Sequence, residues 1–118
     1  MREYKFRGKI IDSCGFDGQW MYGSLRVSPN QMCIQKFDAE RWQWWEEKVD
    51  PETVGQYTGF RDMDGNEIYE NSELVRINQY GKVYELTTVN YDSLSGRWLM
   101  CNGLMLTAAT CGDYKVFQ

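Results

Sequence analysis

The stretch that most constrains the fold lies at residues 53–70, near the middle of the 118-residue chain. Residues 54–60 are rich in β-prone side chains, and Ile68 with Tyr69 begins a second β-prone run. Between them lies the sequence Asp-Met-Asp-Gly-Asn at residues 62–66, whose polar and glycine residues tolerate the backbone angles of tight turns. The stretch therefore predicts two short strands joined by a hairpin turn.

Period-two alternation marks the start of the chain, where apolar or small residues at even positions 4–10 alternate with charged residues at odd positions 3–9. Such alternation is the pattern of a half-buried strand. Turn-rich segments then flank two β-prone runs at residues 19–27 and 31–35, which predicts a small antiparallel meander. After Pro51, about five short strands separated by regular turns predict an SH3-like barrel.

Together these patterns predict a mainly β protein with two parts. Residues 1–50 would form an N-terminal antiparallel β meander with a short helix or irregular turn in its Trp-rich segment, packed on a C-terminal SH3-like β-barrel at residues 51–118. One compact unit is the alternative, because a chain of this length fits either arrangement. The 15% aromatic content, with five Trp and eight Tyr, suits sheet faces better than a helical bundle.

The Trp-rich segment at residues 37–49 is ambiguous in both structure and use. One helical face would collect Phe37, Arg41, Trp44, Trp45 and Val49. Asp38 is a suitable N-cap, so a short helix or irregular turn is favoured over a strand, although Trp42 and Trp44 also alternate as strand residues do. The three tryptophans could stack single-stranded nucleic acid or line a peptide groove. The glutamates beside them favour packing against the barrel or another subunit instead.

The segment Val-Asp-Pro-Glu-Thr-Val-Gly-Gln-Tyr-Thr-Gly-Phe-Arg-Asp-Met-Asp-Gly-Asn-Glu-Ile-Tyr-Glu at residues 49–70 resembles the signature of the YopX family. Members of this family are small proteins encoded by bacteriophages and prophages. Weaker similarity lies at residues 2–7 and 20–25. The resemblance implies a mainly β protein whose C-terminal half is an SH3-like barrel. It implies no catalytic residues, and the family has no established biochemical function to carry over.

The charge distribution disfavours general binding to phosphate backbones, because the chain carries a net charge of −4. The first strand is the exception, since Arg2, Lys5, Arg7 and Lys9 stand against Glu3 alone, a local balance of +4 − 1 = +3. A solvated edge strand protected by charge is the favoured interpretation, and contact with phosphate or an acidic protein is the functional alternative. No apolar run approaches the roughly 20 residues that cross a membrane. We therefore expect a protein of the bacterial host cytoplasm that makes no membrane contact.

The search for chemistry predicts no enzyme, no cofactor and no metal site. The chain has no histidine, which excludes Ser-His-Asp and Cys-His arrangements, and it has no phosphate-binding glycine loop. The four cysteines are scattered, so we expect reduced and mostly buried thiols, with disulfides as the minority alternative. Asp62, Asp64 and Asn66 follow the spacing of a calcium-binding loop, but its glycine is misplaced, and a hairpin corner is the favoured interpretation.

Two functional hypotheses follow. The first is a non-enzymatic protein that acts by binding, as a homo-oligomer and to a phage or host protein, since aromatic residues exceed what one small core can hide. The second is a nucleic-acid-binding module that uses the basic first strand and nearby aromatic residues. The candidate interaction residues include three from the hairpin that we expect to be exposed, Tyr57, Arg61 and Tyr69. The other candidates are Trp42, Trp44, Trp45, Arg2, Lys5, Arg7 and Lys9.

Overall fold

Ten β-strands and two short 3-10 turns make up the regular structure of residues 5–117, the part of the chain that the computed structural model describes. The prediction of a mainly β protein is confirmed, and these residues contain no α-helix. None of the described helical turns is long and apolar enough to cross a membrane. The strands are β1 Phe6–Lys9, β2 Trp20–Ser28, β3 Gln31–Asp38, β4 Gln43–Val49, β5 Gly55–Arg61, β6 Glu67–Tyr69, β7 Glu73–Ile77, β8 Val83–Asp92, β9 Arg97–Met100 and β10 Lys115–Val116.

The chain forms two compact units, Met1–Gln56 and Tyr57–Gln118, which divide within β5. In the first unit, β1 to β4 form the predicted antiparallel meander in the order β4-β3-β2-β1, and the start of β5 adds to β1. The strand β2 pairs with β1 through residues 20–23 and with β3 through residues 24–28. At Gly23, where the pairing changes sides, a Cβ atom would collide with the carbonyl oxygen of Gln35. A glycine is therefore required there.

The core of the first unit lies on one face of its curled sheet. Ile10, Met21, Ile34 and Val49 are buried together, and Leu25 and other partly buried apolar residues pack against them. An isolated bridge joins Ile10 to Val49, which brings the end of β4 back to the end of β1. The period-two pattern of the first strand is confirmed at residues 8–10, since Gly8 and Ile10 are buried while Lys9 is exposed.

The short helix or irregular turn favoured for residues 37–49 is wrong for most of the segment, which is strand on both sides of a turn. Strand β3 extends to Asp38, residues 39–42 form a turn, and β4 runs beside β3 in a regular ladder from Gln43 to Val49. The Asp38 side chain does accept N–H groups, from Glu40 at 3.0 Å and Arg41 at 3.3 Å, but it stabilises this turn. Trp42 has a φ of 53°, a left-handed conformation that ends any helical continuation.

In the second unit, the predicted hairpin is confirmed as β5 and β6, which pair around Tyr57 and Tyr69. The other four strands form an antiparallel sheet in the order β10-β7-β8-β9. Its core contains two large aromatic residues, Trp98 and Tyr114, among aliphatic side chains that include Ile68, Leu74 and Val89.

These strands of the second unit do not close into a barrel, so the predicted SH3-like barrel is not confirmed. Two features keep the four-stranded sheet open. Beyond β9, residues 104–107 contribute only one bridge, Leu99 to Met105. At the opposite edge, β10 has two residues, and the N–H group of Val116 donates to the Asp62 carboxylate, not to a neighbouring strand.

Candidate binding surfaces

The end of the β3–β4 hairpin carries an exposed cluster of Phe37, Trp42 and Trp44, here called the aromatic end. Phe37 lies directly opposite Trp44 in the ladder, with ring centroids 5.3 Å apart. The Trp42 ring lies 5.2 Å from Phe37 because the left-handed turn folds it back over the hairpin. The exposed fraction is 82% for Trp42 and 66% for Trp44. The hairpin thus presents two indole rings to solvent on an aromatic base.

A shallow groove borders the aromatic end. Successive residues of β4 point to opposite faces of the sheet, so Trp44 and Trp45 lie on opposite faces. Trp45 points away from Trp44 and packs edge to face with Phe16, with ring centroids 5.8 Å apart. Its Nε1 donates to Glu47 at 2.9 Å. The groove has a volume of about 370 Å³. It is lined by Phe16, Asp38, Arg41, Gln43, Trp44 and Trp45.

The charged groups along β4 are largely paired within the first unit. The Glu46 carboxylate lies 3.4 Å from the guanidinium of Arg26, and it accepts a hydrogen bond from the Gln35 amide at 3.2 Å. The Gln35 bond is the main reason why the pKa of Glu46 lies below its ordinary value. Lys48 lies 2.9 Å from Asp12. This surface is therefore aromatic and nearly neutral, which suits a protein partner better than a phosphate backbone.

The basic face of β1 lies against aromatic residues of β2. The Arg7 guanidinium lies 4.1 Å from the centroid of the Trp20 ring, and the Lys9 ammonium lies 5.3 Å from it. Both distances fall within the range of cation–π attraction. Lys5 and Arg7 are half-buried and Lys9 is exposed, whereas Arg2 lies outside the described residues. The contact depends on the register of β1 and β2, which pairs Lys9 with Trp20, and no sequence pattern indicates it.

The expectation that Tyr57 and Tyr69 are exposed is wrong. They face each other across the β5–β6 ladder with ring centroids 5.5 Å apart, and their exposed fractions are 5% and 1%. The Tyr69 hydroxyl donates to Glu67 at 3.0 Å, which satisfies its polar end inside the protein. Arg61 is exposed, but its guanidinium donates to the Gly65 carbonyl at 3.0 Å and thereby supports the turn. These three residues stabilise the hairpin.

Asp62 holds the turn of this hairpin, as the hairpin-corner interpretation requires. Its Oδ1 accepts the N–H groups of Asp64 at 2.9 Å and Asn66 at 2.8 Å, and its Oδ2 accepts the N–H of Val116 at 2.8 Å. Burial alone would raise the pKa of this carboxyl group, but the hydrogen bonds outweigh burial and lower the pKa. The sequence offered no signal for the bond to Val116, which is 54 residues away.

The family model described as YopX protein matches residues 13–115 of the chain. The chain belongs to the YopX protein family. The match covers most of the chain and the whole 49–70 segment, so the resemblance noted from that segment is confirmed. No curated protein matches the chain. The structure therefore shows how a YopX family member arranges its aromatic and charged surfaces, and these surfaces are the basis for assigning it a function.

The cysteines of this YopX family member are free thiols, but the expectation that most are buried is wrong. Only Cys33 is buried, Cys111 is half-buried, and Cys14 and Cys101 are exposed. The Cys101 sulfur lies 2.7 Å from the Thr88 hydroxyl across the β8–β9 ladder, and this hydrogen bond is the main cause that lowers the pKa of the thiol. No pattern in the sequence indicates this contact, which joins residues 13 apart in the chain.

Proposed function

We propose that the protein is a non-enzymatic binding module that engages another protein surface through the aromatic end of the β3–β4 hairpin. The exposure of Trp42 and Trp44 is the observation that carries the proposal. Tryptophan is enriched among the residues that dominate binding energy, because its large ring is costly to leave in water. The absence of histidine from the sequence supports a role without catalysis.

The family membership supports an origin in a phage or prophage, so the partner would be a phage protein, a host protein or a second copy of this chain in the bacterial cytoplasm. The pairing of charges around Glu46 and Lys48 supports a protein partner, because it leaves no excess charge to attract a polyanion. Nucleic-acid binding through Lys5, Arg7 and Lys9 has less support. Arg7 and Lys9 already lie over Trp20, the ring that would otherwise stack on a base.

The test compares capture by the full-length protein with capture by a Trp42→Ser/Trp44→Ser double variant. Lysate of a phage-carrying host that also expresses a tagged copy of the chain is passed over each immobilised protein, and bound proteins are quantified by mass spectrometry. We expect at least one protein to fall about tenfold or more with the double variant, as loss of central aromatic residues implies. Tyr80→Ser is the matched control, because Tyr80 is 81% exposed in the second unit.

Equal capture by the wild-type protein and the double variant would overturn the proposal. Both variants change only strongly exposed side chains, so circular dichroism should give the wild-type spectrum for each. A partner lost with Tyr80→Ser but kept by the double variant would move the binding surface to the second unit and would equally contradict the proposal.

A further inference from the structure

The outer edge of β4 is open where the aromatic end begins. Ile11 donates its N–H to the Lys48 carbonyl at 2.9 Å, so Lys48 directs its backbone groups away from β3. Backbone groups in a strand alternate in direction, so Trp44 and Glu46 direct their N–H and C=O groups to this same outer side. Among residues 5–117, no strand and no backbone hydrogen bond occupies that side at Trp44 or Glu46. Four backbone groups are therefore available to another strand.

This edge carries only part of the protection that usually prevents one strand from pairing with another. Exposed edges are commonly protected by charged side chains, above all lysine, by proline, by a bulge or by a covering loop. The charged side chains here are two glutamates, and both already have partners within the chain, Arg26 for Glu46 and the Trp45 indole for Glu47. Residues 43–47 read Gln-Trp-Trp-Glu-Glu, without lysine or proline, and the β3–β4 ladder runs through seven pairs without a shift. The end of the same strand is covered, since Ile11 and Asp12 contact Lys48. The open segment is thus short, regular and next to exposed tryptophans.

We infer that β4 pairs antiparallel with β4 of a second copy of this chain, with the two-fold axis at Trp45. In this register Trp44 lies opposite Glu46 of the second copy and Glu46 lies opposite Trp44, so all four open backbone groups on each chain are paired. Gln43 lies opposite Glu47, and Trp45 lies opposite its own copy. The inference rests on the proposed function, because it assigns the binding surface of the β3–β4 hairpin to self-association.

Charge distinguishes this register from its neighbours. With the axis at Glu46, the two Glu46 carboxylates would oppose each other directly, which destabilises an antiparallel pair. With the axis at Trp44, Glu46 would lie opposite Trp42, whose φ of 53° takes it out of the strand. Only the axis at Trp45 pairs every open group with no like charges opposite. It also brings the exposed indoles of both copies onto the new interface, and each Trp side chain can bury about 150–250 Å² there.

The test is disulfide trapping of a double variant, Gln43→Cys/Glu47→Cys, made in full-length protein with Cys14→Ser and Cys101→Ser to remove the exposed thiols. The inferred register places residue 43 opposite residue 47 of the other copy in a non-hydrogen-bonded pair, with Cα atoms about 4.5 Å apart, which a disulfide can span. Within one chain, residues four apart in a strand lie about 13 Å from each other and cannot be joined. Mild oxidation should therefore yield a covalent dimer on a non-reducing gel.

The two single variants are the matched controls. Each single variant carries one introduced cysteine per copy. In the inferred register that cysteine lies about 13 Å along the strands from the same cysteine of the other copy, so neither single variant should form the covalent dimer under the same oxidation. Sedimentation of the unmodified wild-type protein should show a concentration-dependent dimer. A wild-type protein that is monomeric at every soluble concentration would overturn the inference. A dimeric wild type would also overturn it if Gln43→Cys/Glu47→Cys is not trapped, or if either single cysteine variant is trapped equally well.

Failure of this inference is distinguishable from failure of the proposed function. If the protein is a monomer and yet loses a foreign partner in the Trp42→Ser/Trp44→Ser capture experiment, the hairpin is a binding surface but the partner is another protein. The other outcome is that Gln43→Cys/Glu47→Cys is trapped as a dimer, while Trp42→Ser/Trp44→Ser loses only the tagged copy of the chain and captures every other protein as the wild type does. That result supports both the binding surface and a second copy of the chain as its partner.

Discussion

The β3–β4 and β5–β6 hairpins each place two aromatic residues directly opposite one another, Phe37 with Trp44 and Tyr57 with Tyr69. The ring distances are nearly the same, 5.3 and 5.5 Å. Their environments are opposite, because Trp44 is 66% exposed and Tyr69 is 1% exposed. A cross-strand aromatic pair therefore does not by itself identify either a core or a surface, and its role depends on what covers it.

The turns of the two hairpins explain the difference. Asp38 accepts two N–H groups from its own turn, so the β3–β4 turn is held only locally. Asp62 holds its own turn in the same way but also accepts the N–H of Val116, a residue of the core of the second unit. The β5–β6 hairpin is thereby anchored to the core of the second unit, whereas the β3–β4 hairpin extends beyond the core of the first. We expect substitutions to reduce stability in the anchored hairpin and binding in the extended one.

Tyr69→Ala should cause the largest loss of stability. Removing a buried aromatic side chain leaves a cavity and typically costs about 3–5 kcal/mol of unfolding free energy. Trp44→Ala is the matched change in the exposed pair and should cost less than about 1 kcal/mol. Urea unfolding followed by circular dichroism measures both values. Similar losses for the two variants would contradict the division of roles between the hairpins.

Asp62→Asn should cost about 3 kcal/mol, because an amide cannot accept every hydrogen bond that the carboxylate receives and leaves buried N–H groups unsatisfied. The matched control is Asp64→Asn, which changes an exposed carboxylate that lies 3.6 Å from the Lys115 ammonium. That change should cost less than about 1 kcal/mol. Equal effects in urea unfolding would show that the bond between Asp62 and Val116 does not anchor the hairpin.

The stabilisation from Asp62 should also depend on pH in a defined direction. Because the pKa of Asp62 is lower in the folded protein, its ionised form is favoured by folding, and the contribution is complete above the unfolded value near 3.9. It is lost as the pH falls through the folded pKa. The difference in unfolding free energy between wild type and Asp62→Asn should therefore be constant from pH 7 to about pH 5 and shrink in stronger acid. A difference that grows in acid would contradict this.

Gly23→Ala should cost about 2 kcal/mol, because the added Cβ would collide with the Gln35 carbonyl where β2 changes partners. Gly112→Ala is a suitable control, since a Cβ there meets no atom within 4 Å. The loss should appear in the first unit, with faster hydrogen exchange in β2 and β3 and little change in the β5–β6 hairpin. A tolerated Gly23→Ala would mean that the two strands can separate without loss of stability.

The sequence predicted the elements whose signals are local. Alternation identified β1, and the Asp, Gly and Asn residues at 62–66 identified the β5–β6 turn. The Trp-rich segment could not be predicted in the same way, because Trp44 and Trp45 are both exposed on opposite faces of β4, which removes the apolar–polar alternation of an ordinary strand. The left-handed conformation of Trp42 also has no sequence signature.

Burial and long-range contacts were the properties that the sequence could not supply. The sequence does not show whether Tyr57 and Tyr69 are buried or exposed. In the period-two pattern of β5, the glycines at 55 and 59 fall on the same face as Tyr57 and do not indicate whether that face turns inward. Likewise, the contact between Asp62 and Val116 joins residues far apart in the chain, and the contact of Thr88 with Cys101 depends on the register of β8 and β9. Each of these requires the fold before it can be inferred.

The two units also differ in their thiols, and this difference yields the smallest expected effect. Burial raises the pKa of Cys33 in the first unit, whereas the Thr88 hydroxyl lowers that of Cys101 in the second. Cys101 should therefore be alkylated much faster than Cys33 at neutral pH, since the thiolate is the reactive form.

Thr88→Val keeps the β-branched shape but removes the hydroxyl, so it should slow the alkylation of Cys101 about two- to fivefold. Mass spectrometry of the labelled peptides measures this, with exposed Cys14 as the internal reference. An unchanged ratio of Cys101 to Cys14 labelling would mean that exposure alone, and not the hydrogen bond across the ladder, sets the reactivity of Cys101.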